Sequence, residues 1–239
     1  MAKHAMLVDL SRCVGCQACT VACQAEYGLE PDRRYTTVHR YEYGSYPNVG
    51  GAVITTQCMH CDNPPCVKAC PTGASYKRED GFVLIDEDRC IGCRYCTTAC
   101  PYGARSYDPE KKIVGKCSFC FKSVSSGGVP ACVKTCMAGA RVFGDVTDTN
   151  SAISKALAGK GVQNIRGTSI SYVVPRNLDP SYLPPEAFVP SYISAWKGVV
   201  RPVGLSVMGA AAGAVMVSFF INAVKKEATG QKEDGPDEK

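Results

Sequence analysis

Cysteine is the residue type with the clearest chemistry in this sequence, because its sixteen copies fall into four groups of four with none left over. The first and third groups share the spacing C-x2-C-x2-C-x3-C, whereas the middle gap is four residues in the second group and eleven in the fourth. Thiolates at these short spacings are typical ligands of iron–sulfur clusters. The four groups are, in order, Cys13, Cys16, Cys19 and Cys23; Cys58, Cys61, Cys66 and Cys70; Cys90, Cys93, Cys96 and Cys100; and Cys117, Cys120, Cys132 and Cys136.

The spacing inside a group indicates how its thiolates are shared. Three cysteines within seven residues can wrap one cluster, while a cysteine three residues further on points away from it. In two-cluster bacterial ferredoxins this last cysteine binds the neighbouring cluster. Four complete groups therefore predict four 4Fe-4S clusters in two cross-ligated pairs, with all sixteen cysteines as metal ligands.

Two other uses of cysteine fit the pattern less well. Sixteen cysteines in 239 residues fall below the roughly 8–10% that marks a disulfide scaffold. Structural zinc usually takes two ligands from each of two separated knuckles rather than three from one loop. Iron–sulfur clusters remain the favoured interpretation, and we expect the apoprotein to be largely unfolded because ligation replaces much of the apolar core.

The net charge and the N-terminal residues of the sequence limit the classes of function to consider. The net charge is +5, and the lysines and arginines are scattered among acidic residues rather than clustered, so nucleic acid is not an expected partner. The segment Met1–Val8 is too short for a signal peptide. We therefore expect the chain either to stay in the cytoplasm or to cross a membrane folded, together with a partner that carries the export signal.

An internal repeat predicts an α+β fold. Three groups end in similar motifs, Cys-Pro-Thr-Gly-Ala from Cys70, Cys-Pro-Tyr-Gly-Ala from Cys100 and Cys-Met-Ala-Gly-Ala from Cys136, each expected to end a short helix. A hairpin is expected around the Asp80-Gly81 turn, a strand over 35–43, and a flexible insertion over 123–130. This alternation of helices and hairpins is typical of a ferredoxin, and it occurs twice in the sequence.

The C-terminal part of the sequence has a different composition. Residues 161–198 are rich in proline and are predicted to form an extended linker or strap. The 23 residues from Pro202 to Val224 carry no charge, which is long enough for a helix to cross a bilayer. The sequence thus predicts a single transmembrane helix over 199–224 in contact with membrane lipid, and a charged tail over 225–239.

Motifs around the cysteine groups resemble one known family. They include Gln57-Cys58-x2-Cys61-x2-Pro64-Pro65-Cys66, Lys116-Cys117-x2-Cys120 and Phe143-Gly144-Asp145. Over roughly residues 4–175 the chain resembles the four-cluster electron-transfer subunit of membrane-bound molybdopterin oxidoreductases. Polysulfide reductase is the nearest likeness, and formate dehydrogenase-N, dimethyl sulfoxide reductase and tetrathionate reductase have similar subunits. The added C-terminal helix is similar to the formate dehydrogenase-N and hydrogenase versions.

The resemblance implies how the cysteine groups pair. Groups two and three form an inner pair within residues 57–104, and groups one and four form an outer pair from 1–56 and 105–160, so that 1–160 holds two intertwined ferredoxin-like domains. The implied ligand sets are Cys13, Cys16, Cys19 and Cys136 (set A); Cys117, Cys120, Cys132 and Cys23 (set B); Cys58, Cys61, Cys66 and Cys100 (set C); and Cys90, Cys93, Cys96 and Cys70 (set D).

The same resemblance implies an electron-transfer subunit without an active site of its own. Its expected partners are a catalytic subunit of molybdopterin type, or a hydrogenase, and an integral membrane quinone-reactive or cytochrome subunit. The expected location is the cytoplasmic (inner) membrane, single-pass, with the cluster region on the periplasmic face after co-export or on the cytoplasmic face. Two alternatives stay open: a cytoplasmic, membrane-tethered polyferredoxin of a hydrogenase, and an iron–sulfur enzyme that acts directly at a cluster.

Several polar residues near the cysteines could adjust cluster potentials. Lys68, Arg94, Lys116 and Lys122 are candidates, although a plain surface charge is the favoured interpretation of each. His60, inside group two, could tune a cluster or relay a proton to a quinone site. A neutral packing or hydrogen-bonding role for this histidine is favoured over both.

Overall fold

A computed structural model describes residues 2–159, 161–176, 178–186 and 206. The first of two compact units, Met1–Pro190, contains all four cysteine groups. The predicted transmembrane helix over 199–224 lies outside the described residues apart from Ser206, and so does the tail over 225–239. Among the residues that are described, no helix has both the length and the apolar character needed to cross a membrane.

Short helices and strands alternate along the described chain, which confirms the predicted α+β class. The helices are α1 (Ala18–Tyr27), α2 (Pro65–Lys68), α3 (Tyr95–Thr98), α4 (Phe121–Ser125), α5 (Ala131–Lys134), α6 (Ala152–Leu157) and a 3-10 turn at Pro180–Tyr182. The strands are β1 (His4–Asp9), β2 (Thr36–Ser45), β3 (Asn48–Gln57), β4 (Ser75–Lys77), β5 (Val83–Ile85), β6 (Ser106–Asp108), β7 (Ile113–Gly115), β8 (Arg141–Asp145), β9 (Val162–Asn164) and β10 (Ile170–Val173).

One four-stranded sheet, in the order β8-β1-β10-β9, joins distant parts of the chain. Strand β1 is antiparallel to β8, with Met6 opposite Phe143, and parallel to β10, with Met6 opposite Ile170. Met6, Val8, Ile170 and Tyr172 are almost fully buried. The apolar residues of β1 and β10 thus form the centre of the main core, and the sheet holds the start of the chain against residues 170–173.

Three hairpins complete the sheet structure. The long β2–β3 hairpin pairs Thr36 with Gln57, and the two short hairpins are β4–β5 and β6–β7. The expected strand over 35–43 and the hairpin around Asp80-Gly81 are confirmed. Strands β4, β6 and β8 each begin one or two residues after the Gly-Ala that follows the last cysteine of a group, so the sequence repeat corresponds to a structural repeat.

Two segments differ from their predicted form. Residues 161–198, expected as an extended linker, contain β9 and β10, which belong to the main sheet. The proline-rich composition hid the short buried strand around Ile170 and Tyr172, and its partner β1 is remote in sequence. Helix α4 covers the first three residues of the expected flexible insertion over 123–130, since its helical turn continues directly from group four.

Candidate iron–sulfur sites

The loops of groups one and three turn their three leading cysteines towards one side. Gly15 and Gly92 have φ of +70° and +65°, and Gln17 and Arg94, at the start of α1 and α3, have φ of 61° and 62°. These left-handed residues bend the chain between successive cysteines, and glycine adopts this conformation without a steric cost. Equal backbone geometry in the two groups follows from their equal spacing.

Short helices position the last two cysteines of groups two, three and four. Each of α2, α3 and α5 is four residues long and contains the third cysteine of its group. Proline precedes or begins α2 and α5, at Pro64, Pro65 and Pro130, where its fixed φ suits the first turn and its missing N–H costs nothing. The fourth cysteine follows just after the helix.

The structure brings set A together. Cys13, Cys16 and Cys19 of group one and Cys136 of group four line one cavity. Val8, Thr55 and Arg141 form part of its wall. Although Cys136 is more than a hundred residues away in sequence, it is therefore the cysteine that joins the three thiols of group one.

Sets C and D are also brought together, each around a cavity of its own. The set C cavity is lined by the first three cysteines of group two and by Cys100 of group three. The set D cavity is lined by the first three cysteines of group three and by Cys70 of group two. The two groups thus exchange their last cysteines.

Set B forms the most buried arrangement. Burial raises the pKa of Cys23 to about 12, and the nearby thiols of Cys132 and Cys120 contribute to that rise. Burial also raises the pKa of Cys117 well above its ordinary value, with Cys23 and Cys132 as its leading charged neighbours and Cys58 of set C after them. Cys23 of group one therefore lies among the first three cysteines of group four.

Across the described part of the chain, no three or more His, Cys, Asp or Glu side chains converge on the position of a single metal ion. In a cubane, each of the four irons binds a different thiolate. Four cysteines around one cavity, with three neighbours in sequence and one from another group, are the donor set that such a cluster needs.

Backbone N–H groups point at several of the sulfurs. Ala140 donates to Cys136 Sγ at 3.3 Å and Ser75 donates to Cys70 Sγ at 3.5 Å, both from the turn after a fourth cysteine. Ala131 donates to Cys120 Sγ at 3.4 Å. Burial opposes ionisation of Cys70, but its backbone and Thr72 donors outweigh burial and lower the pKa of this thiol. Hydrogen bonds to sulfur stabilise thiolates and help to set cluster potentials.

His60 has the packing and hydrogen-bonding role that the sequence favours. Its side chain is fully buried and stacks on Phe119 with ring centroids 3.7 Å apart. The N–H of Val83 donates to Nδ1 at 3.0 Å, so Nε2 carries the proton and donates to the carbonyl of Cys117 at 3.1 Å. Burial, aided by the charge of Lys116, holds the pKa of His60 well below its ordinary value.

Lys116 is not the surface charge that the sequence favours. It is only 5% exposed, and its Nζ donates to the carbonyls of Val83 and Cys117. Its ammonium group therefore ties β5 to the start of group four. Arg94 and Lys122 are exposed and Lys68 is partly exposed, as expected, and the Arg94 guanidinium lies 3.7 Å over the ring of Tyr107.

Sequence reasoning missed two arginines that contact the cysteine sets. Arg105 and Arg141 are each only 5% exposed. Arg105 lines the cavities of sets C and D, and Arg141 lines the cavity of set A and approaches Cys132 of set B. The sequence contained a signal that could have identified them. Arg105 directly follows the Gly-Ala after the last cysteine of group three, and Arg141 directly follows the Gly-Ala after the last cysteine of group four.

Two of the sixteen cysteines are exposed at the surface. Cys16 of set A and Cys93 of set D are exposed. Apolar side chains lie beside them in sequence: Val14 is 65% exposed near Cys16, and Ile91 and Tyr95 are 67% and 63% exposed near Cys93. By contrast, all four cysteines of set B are buried, as are the three leading cysteines of set C.

Family models match most of the described chain. A 4Fe-4S dicluster domain matches residues 49–146, a 4Fe-4S binding domain matches 10–28, and the formate dehydrogenase N transmembrane family matches 189–220. All sixteen cysteines fall within the first two ranges. The third match overlaps the predicted membrane helix and indicates membrane association.

Curated relatives agree with these models. One subunit of the tetrathionate reductase of Salmonella typhimurium is 42% identical over 191 residues, which cover 77% of this chain and 76% of the relative. One subunit of the sulfite dehydrogenase of Allochromatium vinosum is 38% identical over 212 residues, 78% of this chain and 88% of the relative. A polypeptide of the anaerobic dimethyl sulfoxide reductase of Escherichia coli is 40% identical over 154 residues, 61% of this chain and 75% of the relative. The chain therefore belongs to the family of 4Fe-4S electron-transfer subunits of molybdopterin oxidoreductases.

Proposed function

We propose that the chain relays single electrons through four 4Fe-4S clusters, held by sets A, B, C and D, between a catalytic molybdopterin-type subunit and a quinone-reactive membrane subunit. A bound 4Fe-4S cluster supplies one-electron redox chemistry with little change in shape. The protein contributes the ligands, the surrounding charges, and the exclusion of water.

One observation carries this proposal. Three separate cavities are each lined by four cysteines, and in every case three come from one group and the fourth from its partner group. Zinc knuckles and disulfides do not require this exchange of the last cysteine, whereas paired ferredoxin clusters do. The cysteines therefore support four cluster sites in two pairs.

Contacts between the sets support a linear order. Arg141 neighbours both Cys19 of set A and Cys132 of set B. Cys58 of set C is among the charged neighbours of Cys117 of set B, and Arg105 lines the cavities of both C and D. We propose the order A, B, C, D, with A and D as the terminal sites.

The exposed ends fit this order. Cys16 and Cys93, the exposed cysteines, belong to A and D, and apolar side chains lie beside both. We propose that one end faces the catalytic subunit and the other faces the membrane subunit. Residues 199–224 would anchor the chain as a single transmembrane helix, in keeping with the match to the formate dehydrogenase N transmembrane family at 189–220.

Metal analysis gives the first test. The full chain, purified anaerobically, should contain about sixteen iron and sixteen acid-labile sulfide atoms, as four cubanes require, and should turn over none of the substrates of the complex by itself. A content of about four zinc ions per chain and no sulfide would refute the cluster assignment. Steady turnover by the isolated chain would favour the enzymatic alternative.

Serine variants test the exchange of cysteines. Cys13→Ser and Cys136→Ser should perturb the same paramagnetic signal, because both residues line the set A cavity. Cys117→Ser is the matched comparison, since Cys117 belongs to the same sequence group as Cys136 but to set B. If Cys136→Ser perturbs the signal that Cys117→Ser perturbs, the proposed pairing is wrong.

A further inference from the structure

Two buried arginines occupy equivalent places in the internal repeat. Arg105 follows Cys100-Pro-Tyr-Gly-Ala and Arg141 follows Cys136-Met-Ala-Gly-Ala. In group two the equivalent position is Ser75, which follows Cys70-Pro-Thr-Gly-Ala. Each pair of cysteine sets therefore contains one arginine at this position.

Arg105 lies between sets C and D. Its Nη1 donates to Ser75 Oγ at 2.8 Å, so the serine of one repeat fixes the arginine of the next. The other two nitrogens, Nε and Nη2, are buried and have no hydrogen-bond partner among the described residues. Its side chain lines both cavities, beside Cys58 and Cys66 of set C and Cys96 of set D. The guanidinium thus keeps donors available on the side of the two sets.

Arg141 has the same place between sets A and B. Its Nη1 lies 3.7 Å from Cys132 Sγ and 3.3 Å from Gln57 Oε1, and Nη2 donates to the same oxygen at 3.4 Å. Arg141 also lines the set A cavity beside Cys19 and Cys136. Within the described part of the chain, its hydrogen bonds go to thioether, thiol and amide groups rather than to a carboxylate.

We propose that Arg105 and Arg141 are bridging cations, each of which raises the reduction potentials of both clusters in its pair. This inference rests on the proposed cluster sites. A reduced cluster carries one more negative charge than the oxidised form, and a nearby fixed positive charge favours it. Because each guanidinium lies beside two sets, one arginine shifts the potentials of two neighbouring sites together and leaves the difference between them nearly unchanged.

Burial makes the effect large. Two unit charges a few ångströms apart interact several times more strongly at the effective dielectric of a protein interior than in water. We expect loss of either arginine to change the one-electron reduction equilibrium of two clusters by about tenfold, equivalent to about 59 mV. Arg105 and Arg141 act as positioning residues, since they donate no electrons and bind no substrate.

The test is a potentiometric titration of the full chain in its anaerobically purified complex, followed by electron paramagnetic resonance. Arg105→Gln should lower two of the four midpoint potentials, and Arg141→Gln should lower the other two. Arg105→Lys and Arg141→Lys keep the charge and should shift the same potentials by less than half as much. Lys134→Gln is the control, because Lys134 lies two residues from both Cys132 and Cys136 but is exposed, and it should shift none.

Several outcomes would overturn the inference. A glutamine variant could change the midpoint potential of one cluster only, or change all four equally. Both arginine substitutions could change the potentials of the same two clusters. The lysine variants could lower the potentials as far as the glutamine variants do. If a glutamine variant loses iron, the matching lysine variant is used to test the inference. A lysine variant that keeps all its iron and has nearly unchanged potentials supports a bridging charge. A lysine variant that also loses iron contradicts it. Failure of the proposed function is distinct, because the unaltered protein would then show fewer than four titrating clusters.

Discussion

The outer and inner regions of the cysteine arrangement are built on the same repeat but supported differently. The outer region, around sets A and B, contains the four-stranded sheet, the ten-residue helix α1 and the ten-residue strands β2 and β3. The inner region, defined in the structure by its position around sets C and D, extends to Gly115, beyond the range 57–104 expected from the sequence. It contains two four-residue helices and two hairpins of three-residue strands. Equal sets of four cysteines are therefore surrounded by very unequal amounts of regular structure.

The buried residues differ in the same way. The inner region has a separate small core with four buried members, Cys66, Val83, Cys96 and Val114, two of which are cysteines. It also contributes Met59, Phe82 and Leu84 to the edge of the main core. The outer region has the buried apolar strands β1 and β10, with Met6, Val8, Ile170 and Tyr172. Because a small core seldom stabilises a fold alone, the comparison indicates that the inner region depends on metal ligation and the outer region also on apolar burial.

Removal of iron should produce the largest difference between the regions. Anaerobic chelation should leave amides of β5 and β7 exchanging at the rate of an unfolded chain, because their ligated cysteines lose their cross-link. Amides of β1 and β10 should stay about a hundredfold better protected, since each buried apolar side chain of the sheet contributes about 1.5–3 kcal/mol. Hydrogen exchange with mass spectrometry measures both. Equal loss of protection in the two regions would contradict the comparison.

Equivalent glycines in the two regions should tolerate alanine unequally. A Cβ at Gly92 would lie 2.3 Å from the backbone oxygen of Lys112, whereas a Cβ at Gly15 meets only side-chain atoms of Val53 and Arg40 at 3.2–3.3 Å. We expect Gly15→Ala to cost about 1–2 kcal/mol from its positive φ, and Gly92→Ala to cost about 3 kcal/mol or more and to release iron from sets C and D. Iron content and urea midpoints measure the two effects.

Gly103 supplies the control for this pair. Its φ is +58° and no atom lies within 4 Å of an added Cβ, so Gly103→Ala isolates the cost of the backbone conformation in the inner region. It should behave as Gly15→Ala does. If Gly103→Ala is as damaging as Gly92→Ala, the contact with Lys112 is not the cause.

The ion pair between the regions should have a smaller effect. Arg33 Nη1 lies 2.6 Å from Asp108 Oδ2, with the two side chains 12% and 8% exposed. Asp108→Asn should lower stability by about 1–3 kcal/mol, as expected for a hydrogen bond between buried charged groups. The exposed pair Arg166–Glu186 gives the control, because Glu186→Gln should change the urea midpoint very little.

The pH dependence of the stability lost in Asp108→Asn follows from the pKa of the Asp108 carboxyl group. The N–H of Lys111, together with Arg33, holds the pKa of Asp108 below its ordinary value. A lowered pKa in the folded state means that the pair stabilises fully above the ordinary aspartate pKa of about 3.9 and is lost only as the pH falls through the lower folded value. The urea midpoint of Asp108→Asn should therefore lie below that of the unaltered protein by the same amount at pH 6, 7 and 8. A difference that changes across this range would contradict the assignment.

Local features of the sequence predicted most of what lies near the cysteines. The spacing of the groups predicts the short helices, and Asp80-Gly81 predicts a hairpin, because both depend on neighbouring residues. The pairing of β1 with β10 was not predicted, because it joins residues far apart in sequence. In addition, β10 is only four residues long, which is too short for a clear pattern of hydrophobic residues. The burial of Lys116 and Arg105 was also missed, because hydropathy places such residues at the surface unless their partners are known.

The central position of β1 has a consequence for synthesis of the chain. This strand leaves the ribosome before the other strands, yet both of its neighbours, β8 and β10, are translated much later. At 5–20 residues per second, Met6 waits roughly 10–30 s for Ile170. During that interval a nascent chain presents an apolar strand with two open edges, the form most prone to unwanted pairing. During synthesis of this electron carrier, β1 therefore lacks both of its partner strands until all sixteen cysteines have been translated.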